Sequence, residues 1–199
     1  SRSFGKIWRP HSSDRVVEEI SLLMKTYGVR QIDILDENFT FNMTRAEEIC
    51  DKLIQKCPGI KINPQIGIRV DRVSEKLLLK MKRAGFFKVS FGIESGDREI
   101  LKNVRKGITL EKALVLTNFA RSLGLITHGY FMFGLPGETR ATMKKTIDFS
   151  LAMNPHYASY SIFTPLPGTE LFEDLKKKGQ LLEEPENGID SGYFLPKVR

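Results

Sequence analysis

Cysteine is nearly absent from this chain of 199 residues: there are two, Cys50 and Cys57. That scarcity excludes a disulfide-rich scaffold. The two lie seven positions apart, roughly two helical turns or ~10 Å if one helix carries both. A bridge needs Cα atoms within ~7 Å, so reduced thiols in a cytoplasm are the expectation. Long apolar runs are absent as well. No stretch approaches the ~18 residues that cross a bilayer, which excludes a transmembrane helix, and no signal-peptide pattern is visible. Strong charge bias is also lacking. Lys and Arg number 31 and Asp and Glu 24, a formal net charge of +7, and 41% of residues are hydrophobic. A disordered chain would be poorer in apolar residues. The length suits one domain with a real core. The basic residues are scattered. Their dense run, Lys176, Lys177 and Lys178, falls near the end of a predicted helix, where cations suit the dipole. The surplus therefore reads as solvated surface ahead of a polyanion site.

What the sequence does contain is a recurring phrase: an amphipathic helix, a glycine, then a short β-rich run. The spacing of Val16, Val17, Ile20, Leu23, Met24 and Tyr27 predicts a helix over 14–27 that Gly28 ends. A strand follows at 31–35. Thr44 and Glu47 form a capping-box pattern that opens a second helix, with Ala46, Ile49, Cys50, Leu53 and Ile54 on one face. Strands are expected at 61–68, 87–93, 125–133 and 157–163. Helices are expected from Ser74, after Asp97, and over 109–123, 139–153 and 169–178. The tail after Gly179 reads as loop. Strands alternating with helices imply a parallel sheet with helical crossovers. A barrel and a doubly wound sheet both satisfy this pattern. In either, chemistry gathers at the carboxyl ends of the strands. Those ends hold Asp36, Glu37 and Asn38; Arg69 and Asp71; Glu94, Ser95 and Gly96; and the glycine-bearing turns at 134–138 and 164–168. The array opens on a helix with no strand before it, so a truncated βα array is expected.

These residues, taken together, resemble the radical S-adenosylmethionine enzymes, and within them the branch in which the radical domain often follows a cobalamin-binding domain. The resemblance rests on Gly5-Lys6-Ile7-Trp8-Arg9 before the first helix, Leu35-Asp36-Glu37-Asn38-Phe39, and Ala84-Gly85 ahead of Val89-Ser90-Phe91-Gly92-Ile93-Glu94-Ser95-Gly96. It continues through Lys106-Gly107-Ile108-Thr109, Gly129-Tyr130-Phe131-Met132-Phe133-Gly134-Leu135-Pro136-Gly137-Glu138-Thr139 and Thr164-Pro165-Leu166-Pro167-Gly168-Thr169. Singly each is weak; in this order and at strand ends they are strong. The resemblance implies an α/β fold, a partial TIM-like (β/α)6 barrel over residues 1–178, with 179–199 as a C-terminal extension. It implies S-adenosylmethionine and a [4Fe–4S] cluster as cofactors, cobalamin in a separate domain, and a reductant as partner. In such enzymes the reduced ligand releases methionine, and a 5′-deoxyadenosyl radical abstracts a hydrogen from substrate.

The sequence departs from the family in one respect. The cluster is held by a Cys-x-x-x-Cys-x-x-Cys loop after the first strand, and no such triplet exists here. Cys50, on an apolar helix face, reads as a buried structural residue. The first strand and cluster loop are therefore expected upstream of Ser1, and these residues alone are expected to hold no metal. The other site residues carry over as cofactor-binding. Asp36, Glu37 and Asn38 occupy the segment that binds the methionyl amine, an amine needing acceptors; the bland reading is a solvated loop. Glu94 and Ser95 match the position that holds the ribose hydroxyls, since diols favour a carboxylate acceptor; the bland reading is an acid at a helix N-terminus. Lys106, or Arg105 beside it, matches a cation for the methionyl carboxylate, or is an ordinary surface cation. Tyr130 lies in the matching strand. His128 is expected to face the barrel on the substrate side, and Arg69 could face the pocket. Two alternatives stand beside this reading. One is a basic RNA-binding module of the kind that acts on transfer RNA, weakened by the lack of aromatic–basic interleaving. The other is a metal-free barrel enzyme with Lys88 as Schiff-base lysine. Substrate identity is not legible.

Overall fold

Helix boundaries follow local capping chemistry. The computed structural model describes residues 8–36, 38–165 and 167–179. Helix α1 (Ser13–Tyr27) starts at Ser12, whose hydroxyl accepts the Arg15 N–H, and ends on left-handed Gly28, whose N–H reaches the carbonyls of Leu23 and Met24. Strand β1 (Gln31–Ile34) follows. Helix α2 (Met43–Lys56) corrects the expected start. Asn42, not Thr44, is the cap, and its side chain accepts the Arg45 N–H at 3.0 Å. Asn is as good an acceptor as Thr at this position, and Thr44 falls within the first turn.

Strand β2 (Lys61–Pro64) is shorter than the 61–68 expected. It ends on Pro64, and Gly67 then turns with φ 104°, its Cα lying so close to the Ser90 carbonyl that a Cβ would sit 3.0 Å from it. Helix α3 (Glu75–Arg83) is capped by Ser74 and buries Leu77, Leu78 and Met81, as its spacing predicts. The remaining elements are β3 (Lys88–Glu94), α4 (Arg98–Asn103), α5 (Leu110–Ser122), β4 (Ile126–Phe133), α6 (Arg140–Met153), β5 (Tyr157–Ile162) and α7 (Glu170–Lys177). Asp97, Thr109, Thr139 and Thr169 cap the four helices with their side chains.

The strands pair in chain order. β1 lies parallel to β2 with Gln31 opposite Lys61. β3 lies parallel to β4, and β5 follows β4 in the same sheet. Single parallel bridges, Ile62 to Phe86 and Ile68 to Phe91, join β2 and the segment after it to the chain that forms β3. No reversal of order occurs among the described strands. A doubly wound sheet has such a reversal and a barrel does not, so the arrangement is barrel-like, with the ring not closed. Residues His11–Ser161 form one compact unit, and the described residues 8–10 and 162–179 belong to a second, which contains α7. In the first unit α1, α2 and α3 pack side by side, and their buried faces meet Ile62, Phe86 and Phe91 in one core. The turn from α3 into β3 requires glycine. At Gly85 φ is 102°, and a Cβ would fall 1.9 Å from the Ile60 carbonyl oxygen. Among the described residues no helix is long and apolar enough to cross a membrane.

Candidate functional site

The carboxyl end of β3 is where the structure gathers the predicted residues. Strand β3 alternates: Val89, Phe91 and Ile93 are fully buried, while Lys88, Gly92 and Glu94 are half-buried on the other side. The pairing with β4 slips between Gly92 and Glu94, so that Gly92 faces Tyr130 and Glu94 faces Phe131. Glu94 itself takes a left-handed backbone, φ 72°, unusual for a residue with a Cβ. That conformation swings its carboxylate back over the strand. There its Oε1 accepts a 2.5 Å hydrogen bond from Lys106 Nζ. A Cβ on Gly92 would stand 3.2 Å from both atoms, so the pair rests over the one strand position that offers no side chain.

Lys106 reaches Glu94 because of the turn that carries it. Arg105 and Gly107 on either side both have left-handed backbones, φ 54° and 64°. The Lys106 N–H closes the turn on the Leu101 carbonyl at 2.9 Å. Arg69 completes this corner. Its guanidinium makes two 2.9 Å hydrogen bonds to Asp71, and its Nη2 approaches Gly107. Burial pushes the Asp71 carboxyl up, but the bonds and charge of Arg69 outweigh it and hold the group below the usual carboxylate range.

The three residues after Glu94 fix it to helix α6. Ser95 is fully buried, its hydroxyl 3.2 Å from Thr146 Oγ1 and accepting the Asp97 N–H at 3.1 Å. The Gly96 N–H donates to Thr146 Oγ1 at 3.0 Å. A Cβ on Gly96 would fall within 2.7 Å of Thr146 Cα and Phe149 Cβ. Asp97 accepts the Glu99 and Ile100 N–H groups and the Lys145 ammonium at 2.7 Å. Sequence reasoning took Ser95 as a ribose contact; the structure engages its hydroxyl within the fold. The neighbouring glycine is the signal for that role, because a small-residue pair lets a helix approach closely.

Elsewhere the predicted residues separate. Asp36 is exposed at the end of β1, with β2 between it and β3. Asn38 closes a local turn, accepting Thr40 Oγ1 at 3.1 Å through its side chain and the Phe41 N–H at 3.0 Å through its carbonyl. Glu37 lies outside the described residues. The 134–139 segment is a self-bonded turn. Glu138 Oε2 accepts the N–H groups of Gly134 and Leu135, and Thr139 and Thr142 cap α6 reciprocally.

Tyr130, opposite Gly92, begins a second group, of which sequence reasoning named Tyr130 and His128. The His128 ring lies 4.3 Å from the Tyr130 ring and 5.9 Å from that of Tyr157. Its Nε2 pairs with Ser159 Oγ at 2.8 Å, while Nδ1 is buried without a partner. Burial, helped by the charge of Lys88, pushes its pKa down, favouring the neutral ring. Nothing local in the sequence marks Tyr157 and Ser159, because they reach His128 only through sheet pairing.

The cysteines take no part. Both are free and buried, and burial pushes the Cys50 thiol up to about 12. Among the described residues no group of three or more His, Cys, Asp and Glu is placed to hold a metal ion.

A family model described as the radical SAM superfamily matches residues 3–150. An uncharacterized methyltransferase of Pyrococcus horikoshii is 40% identical over 173 residues, covering 87% of this chain and 37% of that protein. The cytidylyl-2-hydroxyethylphosphonate methyltransferase of Streptomyces wedmorensis is 31% identical over 193 residues, covering 94% and 35%. The chain thus spans about a third of the length of these relatives. Its backbone superposes on the radical S-adenosylmethionine methyltransferase TsrM of Kitasatospora setae, solved with cobalamin and a [4Fe–4S] cluster bound. The TM-score is 0.77 at 18% identity, over 88% of this chain and 33% of that one.

Proposed function

Because the chain belongs to the radical S-adenosylmethionine superfamily, we propose that the end of β3 is the nucleoside and amino-acid end of an S-adenosylmethionine site in a longer radical enzyme. The observation that carries this reading is the Glu94–Lys106 pair lying over side-chain-free Gly92. The donor set fits such a ligand. A carboxylate accepts from a ribose diol, an ammonium meets a carboxylate, and the missing Cβ leaves a floor on which a flat or sugar-like group can rest. Tyr130 stands beside that floor. When bound and reduced, S-adenosylmethionine supplies the radical that abstracts hydrogen from substrate.

The chain's own residues bind, orient and exclude water. Glu94 aligns the sugar, Lys106 neutralises the carboxylate, and the 95–97 lock on α6 keeps Glu94 in place. A [4Fe–4S] cluster does not fit the cysteines present here, which are two in number and both buried in the apolar core. Its ligands would come from elsewhere in the longer protein, as would any cobalamin domain and the reductant's docking site. The relatives named as methyltransferases favour methyl transfer as the outcome for the whole enzyme. A metal-free barrel reaction through Lys88 gives way to family membership.

Titration of the isotope-labelled chain with S-adenosylmethionine, followed through backbone amide resonances, tests the reading. Shifts confined to the segments around Gly92, Glu94, Lys106 and Tyr130 are expected, and Glu94→Ala should weaken binding at least about tenfold, ~1.4 kcal/mol. Saturating ligand that leaves these resonances in place would refute it.

A further inference from the structure

We propose that the inward face of β3, β4 and β5 holds a separate binding site for an aromatic carboxylate, seated on Lys88 and Ser90 and lying along the rings of His128, Tyr130 and Tyr157. The proposed function enters only in making that ligand a substrate; the site itself follows from the sheet. Lys88 and Ser90 lie on the side of β3 opposite Val89, Phe91 and Ile93, which are buried in the core. The register sets Ser90 opposite His128 and Gly92 opposite Tyr130. The 2.8 Å pairing of His128 Nε2 with Ser159 Oγ brings β5 to the same side. Two features set this face apart. Ser90 is fully buried and its hydroxyl has no partner among the described residues, and His128 Nδ1 is likewise buried and unpartnered. Such groups are costly to leave unpaired. Lys88 is half-buried, and among the described residues no carboxylate pairs with its ammonium. Glu94 lies six residues on, roughly 20 Å along a strand, and meets Lys106 instead. The other charges on this side, Asp33 and Lys61, are exposed and opposite in sign.

The chemistry of these groups selects the ligand. Lys88 brings one positive charge and Ser90 one hydroxyl donor. Burial and the charge of Lys88 together hold the His128 ring neutral, so the ring adds no second charge. When Ser159 donates to Nε2, Nδ1 carries the ring proton and becomes a third donor. One charge and three donors suit a carboxylate. A phosphate dianion asks for more charge than this face has. Water satisfies a hydroxyl or an imidazole but brings no counter-charge to Lys88. The aromatic part follows from the rings. His128 lies 4.3 Å from Tyr130 and 5.9 Å from Tyr157, and Tyr157 is 59% exposed. Three rings thus run along the sheet with the last of them open to a flat partner.

Benzoate is the probe, titrated into the full chain and followed through backbone amide resonances. Benzamide serves as its uncharged counterpart and acetate as the anion without a ring. Saturable benzoate shifts are expected in the segments 88–92, 126–130 and 157–159. Benzamide and acetate should each bind at least about fivefold more weakly, for want of the charge or of the stacked ring. Lys88→Met should weaken benzoate about tenfold and leave benzamide within about twofold. Lys61→Met, which removes a cation from the same side of the sheet, should leave both unchanged. Benzoate that moves none of these resonances, or binds no better than benzamide or acetate, overturns the proposal. So does a loss in Lys61→Met equal to that in Lys88→Met, the mark of general attraction to a basic surface. Circular dichroism verifies folding, and should Lys88→Met lose helicity, Lys88→Gln is scored by the same criteria. The S-adenosylmethionine reading stands apart from these outcomes, because its own titration is read at Glu94 and Lys106.

Discussion

Gly92 and Gly96 lie four residues apart at the end of one strand, and replacing each by alanine should have opposite consequences. At Gly92 the added Cβ meets only Glu94 Oε1 and Lys106 Nζ, each at 3.2 Å. Both are the far ends of flexible side chains, and the backbone is outside the left-handed region. Alanine also restricts the unfolded chain, a gain of about 0.4–1 kcal/mol. Gly92→Ala should therefore fold within about 1 kcal/mol of the parent. Its cost falls on the site: the ion pair is pushed aside and the floor is filled, and adenosine or S-adenosylmethionine should bind at least about tenfold more weakly, ~1.4 kcal/mol. At Gly96 the Cβ would lie 2.6 Å from the Lys145 carbonyl oxygen and 2.7 Å from Thr146 Cα and Phe149 Cβ. These are helix atoms that cannot swing away. Overpacking costs about 1–3 kcal/mol, and stretching the Gly96 and Ser95 bonds to Thr146 adds about 1 kcal/mol. At about 2–4 °C per kcal/mol for a body of this size, Gly96→Ala should melt about 4–16 °C lower. Thermal unfolding and ligand titration on the same samples decide the matter. A Gly92→Ala chain that melts as low as Gly96→Ala, or that binds ligand like the parent, would show that the strand end is not divided in this way.

Two further predictions concern acid. The Lys145 ammonium, against the opposing effect of burial and with help from the Ile100 and Glu99 amides, holds the Asp97 carboxyl below the usual carboxylate range. Its folded pKa is thus lower than its unfolded one. The resulting stability is complete above about pH 4 and is lost as pH falls through the folded value; Asp97→Asn should flatten the acid limb of a denaturant-stability profile, and an unaltered limb would contradict the lock. Burial, with Lys88, likewise lowers the His128 pKa. The unfolded chain binds this proton first, so stability drops as pH falls from about 6.5 toward the folded value. The His128 ring should titrate below about 6.5 by nuclear magnetic resonance, and a midpoint above it would refute the buried setting.

Caps and parallel pairing were largely legible because their causes are local. Ser74, Asp97, Thr109, Thr139 and Thr169 each satisfy amides two or three residues on, and the βα alternation dictates parallel pairing. Asn42 escaped notice because Thr44 offers the same chemistry two residues later. Glu94 and Lys106 were singled out separately from the family resemblance, but their contact was not foreseeable. It depends on three left-handed residues and a slipped register, none of which periodicity encodes. The Ser95 contact with α6 was out of reach for a related reason: Thr146, the partner of its hydroxyl, lies 51 positions away in sequence. The membership of Tyr157 and Ser159 in the His128 group is equally a product of sheet pairing.

The anchoring of residues 95–97 to α6 has a consequence for variation on the outside of the molecule. Thr146 and Lys145 touch the strand end, while Ile147 and Leu151, one and five positions further along the same helix than Thr146, face outward and are 43% and 71% exposed. A rigid helix transmits any displacement of its outer face to its inner one. A shift of this helix would reach residues 95–97 first, through Thr146 and Lys145. The exterior of α6 is thus one layer of helix away from the strand end that carries Glu94.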